Sequence, residues 1–263
     1  MGSTRRRVCR GVAAGVLASL CLTATAASAR SAVEVFVLAG QSNMSGGGLP
    51  LTLASPTNAR LLIWRGDHWE VAADPLAPPL KPGSTQGIGP GMTFGLQLLK
   101  RQPGIRVGLI MCAQGGSSME EWDPSGPLYA ACTAQIRATG SKIAGTLFLQ
   151  GESEARTVTK AAAWLPGFTR LFAAFRKDTN RAPFVLGQIG TLDPKYEGQQ
   201  LVRDAQAEAA KTFGLPLVRT ADLPTDGLHF TVPAYRVIGA RFAVAWWGSR
   251  ERLLKEKARS RAG

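Results

Sequence analysis

From residue 33 onward, short apolar runs alternate with longer segments of helical pattern. The runs are Val33–Ala39, Arg60–Trp64, Arg106–Cys112, Ile143–Gln150 and Pro183–Ile189, rich in Val, Ile, Leu and Phe with few polar interruptions such as Glu34. Continuous rather than alternating apolarity suits parallel strands covered on both faces. Between and after the runs, the pattern predicts helices over Gly91–Arg101, Leu128–Thr139, Lys160–Lys177, Gln199–Phe213 and Val232–Trp247. Strands alternating with helices predict an α/β sandwich around a parallel sheet. The Pro-, Gly- and Asp-rich stretch Gly66–Gly89 reads as a long surface connection, the kind of loop that often lines a ligand site. There is no internal repeat, low-complexity tract or linker, so residues 30–249 read as one domain.

The two ends read differently. Arg5, Arg6 and Arg7 precede a short apolar stretch, Gly11–Ala24, and Ala27-Ser28-Ala29 has the A-x-A form of a cleavage site. Residues 1–29 therefore read as a signal peptide, by general or twin-arginine export, and the mature chain is expected to be secreted or periplasmic. Of the net charge of +13, five units lie in residues 1–30 and four in residues 250–263, which leaves +4 on residues 31–249. The high overall basicity thus sits largely in the leader and a basic C-terminal tail. The tail reads as a solvated end or as a weak contact to an anionic surface. The modest charge of the core, with no nucleic-acid-binding motif, argues against nucleic acid as a partner. Cys112 and Cys132 remain after leader removal. They read as a disulfide in an oxidising compartment or as buried free thiols.

In open α/β sheets, ligands bind beyond the carboxyl ends of the strands. Gly40-Gln41-Ser42-Asn43-Met44 follows the first run, Ala113-Gln114-Gly115-Gly116-Ser117 the third, and Gln150-Gly151-Glu152-Ser153 the fourth. Three polar, glycine-containing segments therefore converge on one sheet edge. Ser42 is the candidate nucleophile, and a serine hydroxyl needs a base to take its proton. The chain has two histidines. His68 falls in the long loop, whereas His229 falls in Asp226-Gly227-Leu228-His229, just before the last helix. His229 is the candidate base, and Asp226 is placed to fold back onto the far imidazole nitrogen. Candidate oxyanion donors are the backbone N–H of Ser42, that of Gly115 or Gly116, and the side-chain amide of Gln150. No His/Cys cluster has zinc-like spacing and no phosphate-binding loop is present, so neither metal nor cofactor is called for.

Val37-Leu38-Ala39-Gly40-Gln41-Ser42-Asn43-Met44 resembles the nucleophile block of the carbohydrate-active SGNH esterases, the acetylxylan esterase and sialate O-acetylesterase-like group. Gly89–Gly95, Val107–Trp122, Gln150–Glu154 and Asp226–His229 resemble its further blocks in the same order, over nearly all of the mature chain. The resemblance implies a three-layer α/β/α sandwich with a central parallel sheet, the flavodoxin-like SGNH hydrolase fold. It also implies metal-free, serine-dependent removal of O-acetyl groups from polysaccharide or sialic acid. Carried over, Ser42 is nucleophile, His229 base and Asp226 its orienting partner, with Gly115 or Gly116 and Gln150 completing the oxyanion hole. Broader SGNH enzymes have Asn where this chain has Gln150, and Trp is common in the group where it has Leu149.

Gln41 and Asn43 read as support or substrate contacts. Glu152 reads as a brace behind the nucleophile loop or as a second orienting group for His229. Glu120 and Glu121 read as loop-fixing or sugar-contacting, and Trp122 as a stacking surface or a buried indole. Two rival functions remain: the same fold acting on a peptidoglycan or lipid ester, and a non-catalytic carbohydrate-binding surface protein.

Overall fold

Val33–Gly40 forms the central strand, β1, buried on both faces from Val35 onward. In the computed structural model, which describes residues 1–2, 33–80 and 86–262, it pairs in parallel with β4 (Arg106–Met111) on one side and β5 (Ile143–Leu149) on the other. The leader predicted over residues 1–29 lies outside the described residues, apart from its first two. With β2 (Leu61–Trp64), β3 (Trp69–Val71), β6 (Phe184–Gly187) and β7 (Leu217–Val218), the sheet runs β3-β2-β4-β1-β5-β6-β7. All its pairings are parallel except that of β2 with β3.

Alternate residues of β1 feed two separate cores, as the period of two in a strand requires. Val35, Val37 and Ala39 pack with α3 (Pro127–Ala138), α5 (Trp164–Asp178) and α6 (Gln199–Phe213). Phe36 and Leu38 pack with α2 (Gly91–Arg101) and α7 (Val232–Ala262) on the other face. The result is the expected three-layer α/β/α sandwich. Because β1 lies between β4 and β5, the topology switches direction at its carboxyl end, where such sheets open a ligand crevice.

Three predicted elements differ. The single helix expected over Lys160–Lys177 is two, α4 (Val158–Ala162) and α5. Thr157 caps α4 through Lys160 N–H, and Pro166, with no N–H to continue α4, falls in the first turn of the new helix. The last helix does not stop at Trp247 but runs on to Ala262, so the basic tail is helical and continuous with the domain. Its Glu, Lys, Arg and Ala content favours that extension. Within the loop expected over Gly66–Gly89, Trp69–Val71 turns back as an antiparallel edge strand, with Trp69 packed 5.1 Å from Trp64. No helix among the described residues is long and apolar enough to cross a membrane.

Of the two readings left open for the cysteines, the structure has the disulfide. Cys112 and Cys132 are bonded, Cα atoms 5.2 Å apart, and tie the end of β4 to α3. The enclosed segment carries Gly115 and Gly116, so the bond fixes both ends of a loop beside Ser42. A cross-link closing a loop of this length contributes about 3 kcal/mol by restricting the unfolded chain. A Cys112→Ser/Cys132→Ser variant should lose a comparable amount of unfolding free energy in urea titration. An unchanged midpoint would show that the bond contributes nothing to stability.

Candidate active site

Ser42 stands two residues past β1 because the chain turns sharply at Gly40. Gly40 has φ of +130°, and a Cβ there would lie 2.0 Å from the carbonyl oxygen of Leu149. Gln41 N–H then donates to that carbonyl (3.0 Å). The Gln41 side-chain oxygen accepts from Gly151 N–H at 3.2 Å and Ser153 N–H at 3.4 Å. Gln41 is buried and braces two strand ends against each other, not a substrate contact. Ser42 opens the short helix α1 (Ser42–Ser45) and is half-buried.

The structure brings His229 to Ser42 across 187 residues of chain, with Nε2 3.0 Å from Oγ. His229 lies on a tight turn closed by the Thr225–Phe230 bridge and by Asp226 N–H donating to His229 C=O at 2.9 Å. The expected contact of Asp226 with the far imidazole nitrogen is not made. Its Oδ1 instead accepts from the backbone N–H of Leu228 (3.0 Å) and His229 (2.8 Å). A spacing of two and three residues places these N–H groups within easy reach of an Asx turn, which draws the carboxylate onto the backbone. No ion pair within 4.0 Å involves His229 among the described residues. The imidazole packs over Gly47, where a Cβ would come within 2.7 Å of its Cγ. Only glycine leaves the ring that space.

Asn43 holds this alignment. Fully buried, it donates from Nδ2 to Leu228 C=O (3.0 Å) and to Glu152 Oε1. Its Oδ1 accepts from Phe230 N–H (3.4 Å) and Tyr235 O–H (2.6 Å). The residue after Ser42 thus grips the two backbone neighbours of the imidazole. Glu152 is the brace rather than an orienting group on the ring: Oε1 serves Asn43, and Oε2 has no partner among the described residues. Burial is the main cause that pushes its carboxyl up to about 7, with the Glu154 charge adding to it and the Asn43 bond opposing. Burial also raises the Tyr235 hydroxyl.

Beyond β4, a Cβ on Gly115 would lie 3.7 Å from that of Ser42. The backbone N–H groups of Ser42, Gly115 and Gly116 donate to no acceptor among the described residues. Of the two glycines, Gly115 is the one beside Ser42, so the free N–H groups of Ser42 and Gly115 belong to neighbouring residues. Gln150 does not join them. It is fully buried, its Nε2 donates to Ser117 C=O (3.2 Å) and to Glu154, and its Oε1 accepts from Trp164 Nε1–H (3.0 Å). A side chain with every polar atom satisfied inside the core has no donor left for an oxyanion. Gln150 positions the glycine loop from beneath instead, and Ser153 Oγ–H assists by donating to Gly116 C=O (3.0 Å).

Glu121 fixes its own loop through Ser118 N–H (2.8 Å) and Oγ–H (2.9 Å). Trp122 is fully buried, with Nε1–H on Ser117 Oγ (3.0 Å), so the stacking reading is excluded. His68 is exposed and bonded to Asp67. A cleft of about 550 Å³ opens beside Gly116, with Glu120, Ser153, Arg156 and Lys160 among its lining.

Comparisons with known proteins bear on the family and the fold. The family model described as carbohydrate esterase, sialic acid-specific acetylesterase, matches residues 32–248. A probable carbohydrate esterase of Arabidopsis thaliana is 29% identical over 240 residues, covering 81% of this chain and 90% of the relative. The solved structure of that plant protein superposes with a TM-score of 0.73 at 28% identity, over 82% of this chain and 98% of the other. NanS gives 0.66 at 19% identity, over 84% and 98%. A GDSL-like lipase from Parabacteroides merdae gives 0.54 at 14%, over 82% and 96%. The last two likenesses speak for the fold alone.

The raised Glu152 carboxyl sets a pH dependence of stability. The native state keeps a proton that the unfolded chain releases near the ordinary carboxyl value of about 4.5, so stability falls as pH rises from about 4.5 to about 7. The loss is on the order of 3 kcal/mol. Urea midpoints measured at pH 5 and pH 8 should fall for the native chain and fall much less for Glu152→Gln. Equal declines in both would remove Glu152 as the cause.

Proposed function

The chain belongs to the carbohydrate esterase, sialic acid-specific acetylesterase family, and from that footing we propose that it removes O-acetyl groups from carbohydrate through an acetyl-serine intermediate on Ser42. The observation that carries this reading is the 3.0 Å approach of His229 Nε2 to Ser42 Oγ, with Gly115, whose backbone N–H is free, beside Ser42. His229 takes the Ser42 proton as Oγ attacks the acetyl carbonyl carbon. Negative charge moves to the carbonyl oxygen, which the N–H groups of Ser42, Gly115 and Gly116 are placed to receive. The tetrahedral intermediate collapses, the bond to the sugar oxygen breaks, and the imidazolium protonates that oxygen. Water, deprotonated by His229, then attacks acetyl-Ser42, releases acetate and restores the hydroxyl.

Asp226 acts in this scheme through the backbone: its carboxylate shapes the turn that presents the imidazole. The cleft beside Gly116 is the place for the sugar. The Cys112–Cys132 bond suits an oxidising compartment and supports secretion or a periplasmic location.

Acetate release from acetylated xylan and acetylated sialic acid tests the reading. Ser42→Ala should fold normally and lose turnover by at least about a thousandfold. Retention of most of the rate would end the nucleophile assignment. Asp226→Asn keeps an oxygen for the two backbone N–H groups, so its kcat should fall by less than about tenfold. A loss approaching the roughly ten-thousandfold seen when a triad carboxylate touches the imidazole would contradict the backbone role.

A further inference from the structure

A second charged surface lies on the sheet edge away from Ser42. Two adjoining grooves, of about 350 and 450 Å³, share Arg176 and Arg181 in their lining. The first also takes in Pro183 and Phe184 at the start of β6, Phe213 to Pro216 leading into β7, and Arg252 of α7. These are the amino ends of parallel strands, whereas Ser42, Gly115 and Glu152 follow carboxyl ends. Lys177 lines the second groove, and Glu256 is the one acid among the residues lining either.

Arg176, Lys177, Arg181 and Arg252 are exposed, and none forms an ion pair within 4.0 Å among the described residues. The turn that carries Arg181 is unusual. Asn180 and Arg181 are consecutive non-glycine residues in the left-handed region, with φ of 51° and 57°. Side chains with a Cβ resist that conformation, and it persists where the surrounding structure enforces it. Here Asn180 N–H donates to Lys177 C=O and Arg181 N–H to Arg176 C=O, which folds Arg181 back beside Arg176. Phe172 is buried 5.6 Å beneath the Arg176 guanidinium, and of the aromatic residues lining the groove Phe213 alone is half-buried rather than buried.

We propose that this surface binds a linear polysaccharide bearing carboxylate groups, at a site separate from the one that hydrolyses the ester. Guanidinium forks match carboxylates in geometry as well as charge. Phe213, half-buried in the lining of the groove, leaves aromatic surface for the apolar face of a sugar ring. A recess lined this way can follow a chain along its length, while a flat bilayer meets only the cations that project furthest. The choice of a saccharide rests on the carbohydrate esterase reading; the anion-binding character does not. Held by this edge, the enzyme leaves its opposite, nucleophile-bearing edge free to work along acetylated chains nearby.

Binding of the full chain to polygalacturonate, neutral xylan, polyphosphate and phosphatidylserine-containing vesicles tests the proposal, with dissociation constants measured at low and moderate salt. Polygalacturonate should bind most tightly and weaken with salt. The variant Arg176→Glu/Arg181→Glu/Arg252→Glu should bind it at least about tenfold more weakly while hydrolysing 4-nitrophenyl acetate at the native rate. Ser42→Ala should bind it as the native chain does. Undiminished binding by the triple variant overturns the site, and preference for polyphosphate or vesicles overturns the saccharide. If the native chain fails to hydrolyse any acetyl ester, the esterase reading falls while the binding result stands on its own.

Discussion

Ser42 and His229 lie 187 residues apart, and nothing local in either segment brings them together. The side chain of Asn43 does so. It bonds the carbonyl before His229 and the N–H after it, and it is in turn held by Glu152 and Tyr235. Four hydrogen bonds on one buried amide satisfy its whole donor and acceptor capacity. Such a network specifies one arrangement, because displacing any member leaves a polar group unpaired in a low dielectric. The imidazole position therefore depends on the residue adjoining Ser42, and the approach of the two side chains is registered there.

The same logic explains how the surrounding strand ends cooperate. Gln41 binds the segment after β5, Gln150 binds the segment after β4, and the Cys112–Cys132 bond secures that segment from the other side. Each loop at the switch point is tied to a neighbour by a buried amide or a covalent bond. Backbone donors held this way need no reorganisation when charge develops on a bound ester, which is the condition for effective oxyanion stabilisation. Glu152 is the costly member: a carboxyl buried with one oxygen unpartnered, raised to about 7 by burial. It stays because Asn43 requires an acceptor where no water reaches.

The architecture was readable because a parallel sheet announces itself in continuous apolar runs, and β1, β4, β5 and β6 fall within a few residues of those runs. Ser42, Gly115 and His229 were readable for a related reason: the carboxyl ends of such strands are where chemistry gathers. Side-chain direction was not readable. Gln150 stands at a strand end with the right chemistry, yet it points into the core beneath Trp164. Asp226 has a spacing that serves either the imidazole or the backbone, and turn geometry decides for the backbone. Tyr235 and Gly47 were invisible because their roles arise only from packing against residues distant in sequence. The short β3 was hidden among turn residues, since its pairing with β2 rather than its composition defines it.

If Asn43 sets the reacting geometry, its removal should slow chemistry at Ser42 more than it disturbs the fold. The direct measurement is the rate constant for covalent labelling of Ser42 by a fluorophosphonate, compared between the native chain and Asn43→Ala at a temperature where circular dichroism shows both folded. Labelling should be at least about a hundredfold slower in the variant, equivalent to roughly 2.7 kcal/mol of lost alignment. Labelling of the folded variant at the native rate would contradict the account, because His229 would then reach Ser42 without the amide that holds it there.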